Sequence, residues 1–417
     1  MIKFKKFKLT NGLTLIVHRD ESSPIAAVNV LYKVGARDEN PNKTGFAHLF
    51  EHLMFSGSVN IPNYDFQVDR VGGDNNAFTN SDYTNYYITL PVQNLETALW
   101  LESDRMLGLA FNQKGLDVQK SVVVEEFKQV FLNQPYGDVW LLLKPLTYKK
   151  HPYQWVAIGK DISHIEKANM DDVRAFYKKY YNPDNAILSI AGNVDPDEVY
   201  ELVKKWFGDI PSGEKIIRDI PQEPVQTEYR SLEVKRGVPF DSIYMSFPMS
   251  DRLSKDYYTY DLLSDVLSNG LSSRLYQRLV RDKAYFRELN AYISGDLDEG
   301  LFIISGKIYS GVSMQLAEES ILHELKLIKE ELIDEDELQK VQNKIEANLK
   351  FAELSLLNKA MNLGYFEMLG DAGMINQETD KYHKVTAEDI RNIAAETFKK
   401  EKCSVLYYYA EEQNPQS

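Results

Sequence analysis

The sequence predicts an α+β fold built from two homologous repeats. The chain has 417 residues, too many for one ordinary hydrophobic core, and this length favours two or three units. Segments with strand and helix periodicity alternate through both halves. A helix headed by Asp172-Val173-Arg174, with a strand-like segment after it, has a counterpart headed by Asp389-Ile390-Arg391, and the offset between them is 389 − 172 = 217. An offset of half the chain indicates two copies of one unit.

In the first half, three strands are predicted to come first. They span residues 4–9, 13–18 and 26–34, and Asn11-Gly12 predicts a tight hairpin turn between the first two. A short helix follows and ends at Gly57. The remaining predicted elements are strands at 76–79 and 83–90, helices at 94–107 and 116–133, and then a helix, a strand and a helix at 171–181, 186–191 and 196–207.

A segment rich in Pro, Gly and charged residues separates the two halves. We therefore predict an N-terminal domain over residues 1–208, a linker over 209–226 and a C-terminal domain over 227–417. In the second domain, residues 315–331 and 334–350 show mixed charges at helical spacing, which is typical of solvated helix faces. These two helices are also candidates for a subunit interface.

The composition excludes several classes of protein. The net charge of −14 argues against nucleic acid as a partner, because its phosphates would be repelled. No apolar run is long enough to cross a bilayer, so no membrane partner is expected. The single cysteine, Cys403, rules out an internal disulfide and a cysteine-based zinc site. If Met1 is native, we expect a cytoplasmic protein; if a leader has been removed, we expect a secreted or periplasmic one.

The run Phe46-Ala47-His48-Leu49-Phe50-Glu51-His52 is the strongest indication of chemistry in the chain. His48 and His52 are four residues apart and project from one face of a helix, with Glu51 beside them. Neutral imidazoles suit Zn²⁺, and a neighbouring carboxylate can take a proton from water that the ion has acidified. The order His-x-x-Glu-His is the signature of inverted zincins. The alternative is two helix-face histidines held by ordinary hydrogen bonds.

The second repeat lacks these ligands. Setting Gly270 against Gly57 places Asp261, Ser264 and Asp265 at the positions of the motif's two histidines and glutamate. Only the first repeat is therefore expected to bind a metal in this way. The second repeat is free to serve as a wall, a lid or a docking surface.

A third ligand has to come from elsewhere in the chain, because a catalytic zinc needs three protein ligands and one open position. The helix-like segment 121–127 offers Glu125 and Glu126. Adjacent helical side chains point about 100° apart, so at most one of these carboxylates faces the site. The sequence pattern does not choose between them.

Five blocks, in the same order, resemble the pitrilysin and mitochondrial processing peptidase family of inverted zincin metallopeptidases, and the likeness runs over residues 9–409. The blocks are GFAHLFEHLMF (45–55), GGDNNAFT (72–79), HPY (151–153), YNPDNA (181–186) and SSRL (272–275). In the family's Val-Val-x-Glu-Glu segment the second glutamate binds the metal, which implies Glu126 as the third ligand. The resemblance also implies one zinc ion per chain, Glu51 as the general base, and hydrolysis of internal bonds in peptides or extended polypeptide segments.

The resemblance further implies that each repeat is an α/β sandwich with a mostly antiparallel sheet, and that the two repeats form a clamshell. It places Asn76, Ala77 and Phe78 on an edge strand beside the metal, where a bound peptide would add main-chain hydrogen bonds. For Asn76 the alternative is a turn residue after Gly72-Gly73. Many relatives carry a glutamate where this chain has Gln119, a candidate outer group that tunes the metal site.

One departure from the family pattern bears on partners. Single-chain active relatives place an Arg and a Tyr, seven residues apart, in the second half, where they reach the substrate carbonyl. Arg281 fits this pattern, whereas the Tyr position falls on Glu288, or on Arg287 if one gap is allowed. We therefore hypothesise a heterodimer in which this chain binds the zinc and a homologous subunit supplies the Arg/Tyr pair; a homodimer is the other arrangement considered. The competing function is a non-catalytic subunit of the same fold that binds peptides or serves assembly.

Overall fold

The computed structural model describes residues 1–411. Its strands are β1 (Lys5–Lys8), β2 (Thr14–Arg19), β3 (Ile25–Tyr32), β4 (Asp74–Thr79), β5 (Thr84–Pro91), β6 (Ala186–Gly192), β7 (Arg230–Arg236), β8 (Ser242–Pro248), β9 (Phe286–Ile293), β10 (Leu301–Ile308) and β11 (Ser404–Ala410). Its α-helices are α1 (Phe46–Leu53), α2 (Tyr64–Arg70), α3 (Leu95–Leu107), α4 (Gln113–Phe127), α5 (Val139–Thr147), α6 (Ile162–Glu166), α7 (Met170–Tyr180), α8 (Pro196–Phe207), α9 (Tyr257–Ser268), α10 (Met314–Glu330), α11 (Glu335–Ala352), α12 (Leu356–Met368), α13 (Glu378–His383) and α14 (Ala387–Thr397). Two π-helical segments span Lys128–Leu132 and Tyr276–Asp282.

Within residues 1–411 the strands form two sheets. The first has the order β1-β2-β6-β3-β5-β4, and the second has the order β7-β11-β8-β10-β9. Neighbouring strands are antiparallel except for β2 with β6 and β7 with β11, which are parallel. Both sheets are therefore mostly antiparallel, as predicted.

The two sheets repeat one topology. Strand for strand, β7-β11-β8-β10-β9 has the order and directions of β2-β6-β3-β5-β4, and β1 is an additional edge strand of the first sheet. Strand β5 begins at Thr84 and β10 at Leu301, which reproduces the offset seen in the sequence (301 − 84). Helices α7 and α14 begin at Met170 and Ala387, again with the same offset (387 − 170). The predicted α+β fold with two homologous repeats is confirmed.

Each repeat gives one helix to the sheet of the other repeat. Helices α5 and α12 occupy equivalent positions, since their first residues, Val139 and Leu356, are also separated by the repeat offset (356 − 139). Yet α12 packs on β3 and β6 of the first sheet, whereas α5 packs on β7, β8 and β11 of the second. The chain accordingly divides into two compact units: Met1–Lys128 with Trp155–Ile220 and Leu349–Gln377, and Gln129–Gln154 with Pro221–Asn348 and the residues from Glu378 onward.

These compact units differ from the predicted domains over two segments. Residues 129–154 fall in the predicted N-terminal domain but pack with the second sheet, and residues 349–377 fall in the predicted C-terminal domain but pack with the first. The physical reason is the apolar face of each exchanged helix, which is buried on the other repeat's sheet; Val139 and Leu143 of α5, for example, cluster with Leu406 and Tyr408 of β11. Residues 412–417, which end the predicted second domain, lie outside the described part of the chain.

A chain of buried hydrogen bonds fixes α12 on the first sheet. The Asn85 side chain donates to Asn29 Oδ1 (2.6 Å), Asn29 Nδ2 donates to Ser189 Oγ (3.2 Å), and Ser189 Oγ donates to the carbonyl oxygen of Ala360 (2.7 Å). These side chains come from β5, β3 and β6, and all of them are buried. Because buried polar groups are costly when unpaired, this row specifies where the helix lies along the sheet.

The predicted elements of the first half lie within a few residues of the observed ones, with one exception. The predicted helix 116–133 ends as an α-helix at Phe127 and continues as the π-helical segment Lys128–Leu132. Among the described residues, 209–226 lie between α8 and β7 and carry neither helix nor strand. None of the helices in the described part of the chain combines the length and apolarity that crossing a membrane requires.

Candidate metal centre

Helix α1 carries the His-x-x-Glu-His motif on one face and core residues on the other. The buried face consists of apolar residues at helical spacing: Phe46, Leu49, Phe50 and Leu53. Phe50 stacks on Tyr181 with ring centroids 5.2 Å apart. This packing fixes the rotation of the helix, so that His48, Glu51 and His52 are presented on the opposite face.

The three predicted ligands lie together. His48 Nε2 is 3.6 Å from Glu126 Oε1, and His52 Nε2 is 3.3 Å from Glu126 Oε2. One ligand atom from each of these residues lies within 4.8 Å of the other two. Glu125 instead pairs with Lys128 at 2.7 Å. Of the two carboxylates that the sequence pattern left open, Glu126 is therefore the one that faces the histidines.

The donor set fits a zinc ion. Tetrahedral ligation with bonds of about 2.0–2.2 Å separates neighbouring ligand atoms by about 3.4 Å, which is close to both contacts between Glu126 and the imidazoles. Burial lowers the pKa of His48 to about 4, so this ring is neutral at pH 7, as ligation requires. The hydrogen bond with His52 lowers the pKa of Glu126 and favours the carboxylate. Two imidazoles and one carboxylate are the protein ligands of a common class of catalytic zinc sites.

Glu51 lies beside this cluster on the same face of α1. Burial raises its pKa, while a hydrogen bond with the Thr79 side chain opposes that shift. Glu51 Oε2 is buried and has no hydrogen-bond partner within residues 1–411, so its lone pairs are free to accept a proton. Sequence reasoning did not single out Thr79, although this residue ends the GGDNNAFT block. The block gave no signal that its last side chain reaches the glutamate.

Strand β4 lies at the edge of the first sheet, next to α1. In the described residues it pairs with β5 alone, and α1 packs against it. Asn76 lies inside this strand and not in a turn. The Ala77 N–H donates to the side-chain oxygen of Asn76 at 2.8 Å, so this donor points to the open edge and not to β5. Asn76, Ala77 and Phe78 therefore lie on an edge that an extended chain could extend; their role in substrate binding stays a prediction.

Gln119 is linked to the motif helix indirectly. It lies on α4, two turns before Glu126, and its amide donates to Ser56 Oγ at 3.0 Å. The Ser56 hydroxyl in turn donates to the carbonyl oxygen of His52 at 3.5 Å, the upper limit for such a bond. Gln119 thus bridges α4 to the chain that leaves α1, and an influence on the metal remains a prediction.

The equivalent positions of the second repeat hold carboxylates that are already engaged. Asp261 accepts a hydrogen bond from the Tyr382 hydroxyl at 2.6 Å, and Asp265 accepts one from the Asn269 amide. Burial raises the pKa of Asp261 and of Asp265. This face of α9 therefore lacks the imidazoles of α1 and presents no comparable donor set.

The segment that contains Arg281 has a glutamate, Glu288, and not a tyrosine seven residues later. Arg281 is exposed and pairs with Asp282 at 2.8 Å. The guanidinium of Arg287 lies 4.0 Å from the ring centre of Phe240, and Glu288 pairs with Lys307 at 3.4 Å. Each of these side chains has a local partner in the second unit, which is consistent with the departure seen in the sequence.

Comparisons with known proteins place these features in context. The family model described as Insulinase (Peptidase family M16) matches residues 14–153, and the one described as Peptidase M16 inactive domain matches residues 167–345. The chain is 31% identical to the zinc protease PqqE of Helicobacter pylori, over 82% of this chain and 78% of that protein. It is 28% identical to the beta subunit of the mitochondrial-processing peptidase of Saccharomyces cerevisiae, over 50% of this chain and 45% of that protein. A crystal structure of a protease from Helicobacter pylori superposes with a TM-score of 0.93 at 28% identity, covering 98% of this chain and all of that one.

Proposed function

Since the chain belongs to the insulinase family of peptidases, family M16, we propose that it is a zinc-dependent endopeptidase. The observation that carries this proposal is the convergence of His48, His52 and Glu126 within 4.8 Å, beside a glutamate with an unpaired buried oxygen. Relatives of the chain are named zinc proteases. The homology to a peptidase family and the donor groups on α1 and α4 therefore both support a zinc-dependent peptidase.

In the proposed reaction His48, His52 and Glu126 hold one zinc ion. When bound, the ion supplies Lewis acidity, which polarises a peptide carbonyl and lowers the pKa of water. Glu51 acts as the general base: its free oxygen takes a proton from the attacking water as the C–O bond forms. The same carboxyl then delivers that proton to the amine nitrogen as the C–N bond breaks. The raised pKa of Glu51 favours the first step, because a carboxylate with a higher pKa is a stronger base toward the attacking water.

The proposed substrates are peptides or extended segments of polypeptide. Strand β4 offers an open edge next to α1, and main-chain pairing there would bind many sequences with little preference. A substrate strand laid along β4 would take the Ala77 N–H that Asn76 now occupies. The substrate would thus be aligned by backbone groups, with preference left to neighbouring side chains.

We further propose that the active form is a pair of homologous subunits. One relative is named as the beta subunit of a mitochondrial-processing peptidase, and this chain has no tyrosine seven residues after Arg281. Purification from the cells that make the protein should yield a second chain of the same family. A monomer with full peptidase activity on its own would contradict this part of the proposal.

A non-catalytic, peptide-binding subunit is the second candidate function. It is favoured by the match of residues 167–345 to a family domain described as inactive. The first repeat argues against this function, because it retains Glu51 and all three ligand residues. The two functions differ in whether Glu51 matters for turnover.

The experiment compares the wild-type protein with Glu51→Gln, both isolated together with any bound partner. Elemental analysis should find about one zinc per chain in both proteins. Hydrolysis of internally quenched peptides should fall by about 10²- to 10⁴-fold in the variant. Unchanged hydrolysis would show that Glu51 is not the base, and a wild-type protein that binds peptides without cleaving them would establish the second function.

A further inference from the structure

The second compact unit contains a cavity of about 360 Å³, within the range of ligand-binding pockets, about 300–1,000 Å³. Its apolar lining includes Met249, Leu301 and Ile393, together with the ring of Tyr260. These residues come from the loop after β8, the start of β10, and helices α14 and α9. The cavity is built from the second repeat and the segments packed on it, and it contains none of the residues of the metal centre.

The wall of this cavity that comes from the linker is held in place by hydrogen bonds. The Glu223 carboxylate accepts the backbone N–H groups of Lys149, Lys150 and His151 at 2.8–2.9 Å. Gln226 donates to the carbonyl oxygen of Cys403 at 2.9 Å. Pro224 and Val225 between these anchors line the cavity. The pocket is therefore formed before any ligand arrives.

The charged residues that line the cavity are mostly acidic. Glu223 is satisfied by the three backbone groups, and Glu396 lies 3.8 Å from Lys402, the single basic residue of the lining. Asp256 and Glu299 have no ion-pair partner among residues 1–411. Burial raises the pKa of the Tyr260 hydroxyl, and Glu396, Asp256 and Glu299 add to that shift. Glu396, Asp256 and Glu299 all line the cavity, and the negative charge of this lining favours a cation there.

An unpaired hydroxyl completes the polar lining. Ser250 Oγ is buried and has no hydrogen-bond partner in the described residues, and Ser250 lines the cavity. The hydroxyl oxygen exposes almost no surface, so a head group in the cavity would reach it only after a rotation of the Ser250 side chain, and a bound donor would then relieve the cost of an unsatisfied hydroxyl. The cavity thus combines an apolar surface for a stem with acceptors for a donating head group.

We propose that this cavity binds an organic cation, a primary ammonium or guanidinium carried on an apolar stem. Asp256 and Glu299 receive the cationic head, and Met249, Leu301 and Ile393 pack against the stem. A basic side chain of a peptide and a free small amine share this chemistry. The site is independent of the zinc centre and stands whether or not the chain hydrolyses peptides.

Calorimetric titration of the full-length wild-type protein tests the charge preference without any substitution. The probes are n-pentylammonium, 1-pentanol and pentanoate, which share the stem and differ in the head group. We expect pentylammonium to bind at least about tenfold more tightly than pentanol, because hydrogen bonds to an ionised head group are stronger than those to a neutral one. Equal binding of all three, no saturable binding, or a preference for pentanoate would overturn the proposal.

Two isosteric variants locate the binding. Glu299→Gln and Asp256→Asn should each weaken pentylammonium about three- to tenfold and leave pentanol unchanged, since each removes one charge and keeps the shape. Glu319→Gln is the matched control, because Glu319 is a residue of α10 outside the cavity lining. An equal loss in the control variant would show a general charge effect and contradict the site.

A third comparison separates the two sources of the cation. A capped tripeptide with a central lysine is titrated beside the same peptide with norleucine. Tighter binding of the lysine peptide than of pentylammonium would support a peptide side chain as the occupant. Binding of pentylammonium with no binding of the lysine peptide would support a free amine, and tighter binding of the norleucine peptide would contradict both.

Discussion

The carboxylate of Glu39 caps the motif helix at Ala47. Glu39 Oε1 accepts the Ala47 N–H at 2.8 Å, and its other oxygen accepts the Gly45 N–H at 2.9 Å. Glu39 is buried, and no ion pair compensates its charge in residues 1–411. The first N–H groups of α1 and the positive end of its dipole favour the carboxylate, but burial outweighs them and favours the protonated carboxyl. A single buried side chain therefore fixes where the helix with His48 begins.

This relationship predicts how stability depends on pH. Burial raises the pKa of Glu39 from 4.5 to about 8, so between these values the folded chain holds a proton that the unfolded chain has released. The folded state binds more protons in this window, and the free energy of unfolding therefore falls as pH rises from about 4.5 to 8, by at most about 1.4 kcal/mol per pH unit. Urea titrations of wild type and Glu39→Gln at pH 5, 6.5 and 8 should show a shallower decline in the variant. Glu21→Gln, at an exposed position, is the control; an equal slope in Glu39→Gln and wild type would contradict the assignment.

Substituting the two adjacent glutamates of α4 one at a time should distinguish loss of a metal ligand from loss of a nearby negative charge. Glu126→Gln should weaken zinc binding by about 10²-fold or more, because it removes a ligand that contacts both imidazoles. Glu125→Gln removes the same charge one residue away and breaks only a surface pair with Lys128, so zinc binding should change by less than about twofold. Competition with a chromophoric chelator measures both. Equal losses would mean that Glu126 acts on the metal through charge alone.

Proline at position 77 should remove the open donor of β4 and leave the fold intact. Proline is tolerated on an edge strand where its missing N–H would face outward, and the Ala77 N–H does so. Ala77→Pro should raise the KM for peptides by about fivefold to tenfold, the loss of one hydrogen bond, while the zinc content stays unchanged. Steady-state kinetics and elemental analysis provide the two measurements. An unaltered KM would exclude β4 as the strand that pairs with the substrate.

Alanine at position 45 should destabilise the start of the motif helix. Gly45 has φ +88°, and an added Cβ would lie 2.4 Å from the carbonyl oxygen of Ile158. Left-handed strain and this contact together should cost about 2–5 kcal/mol. Gly237→Ala is the matched control, because a Cβ there has nothing within 4 Å and its φ is not positive. Thermal unfolding of the two variants should differ by several degrees, and similar midpoints would contradict this account of Gly45.

The parts of the molecule that sequence predicted well have a local or periodic cause. The repeat offset arises because one structural unit occurs twice in the chain. The placement of the motif residues on one face of α1 follows from helix periodicity. The choice of Glu126 over Glu125 needed more than periodicity, because two adjacent helical residues differ only in direction. Resemblance to a family made that choice, and the structure places Glu126 by the histidines.

The rest depended on contacts that no local pattern records. The apolar stripe of α12 indicates that the helix is buried but not which sheet covers it, so its place on β3 and β6 was not predicted. Glu39 is separated from Ala47 by a loop. Carboxylates in loops are usually exposed to solvent, so its burial and its hydrogen bonds to the start of α1 were not predicted. The cytoplasmic location and the clamshell arrangement of the repeats stay predictions.

The crossing of α5 and α12 between the repeats explains why a copy without the His-x-x-Glu-His motif remains joined to the copy that carries it. Cutting the chain at the linker would remove from each sheet the helix that packs on it. Residues 1–208 alone would expose Asn29 and Ser189 to water. The remainder of the chain would lose Val139 and Leu143 from its hydrophobic core. We therefore expect that neither half folds on its own. The second repeat is therefore needed to keep the first one folded, even though it carries none of the motif residues.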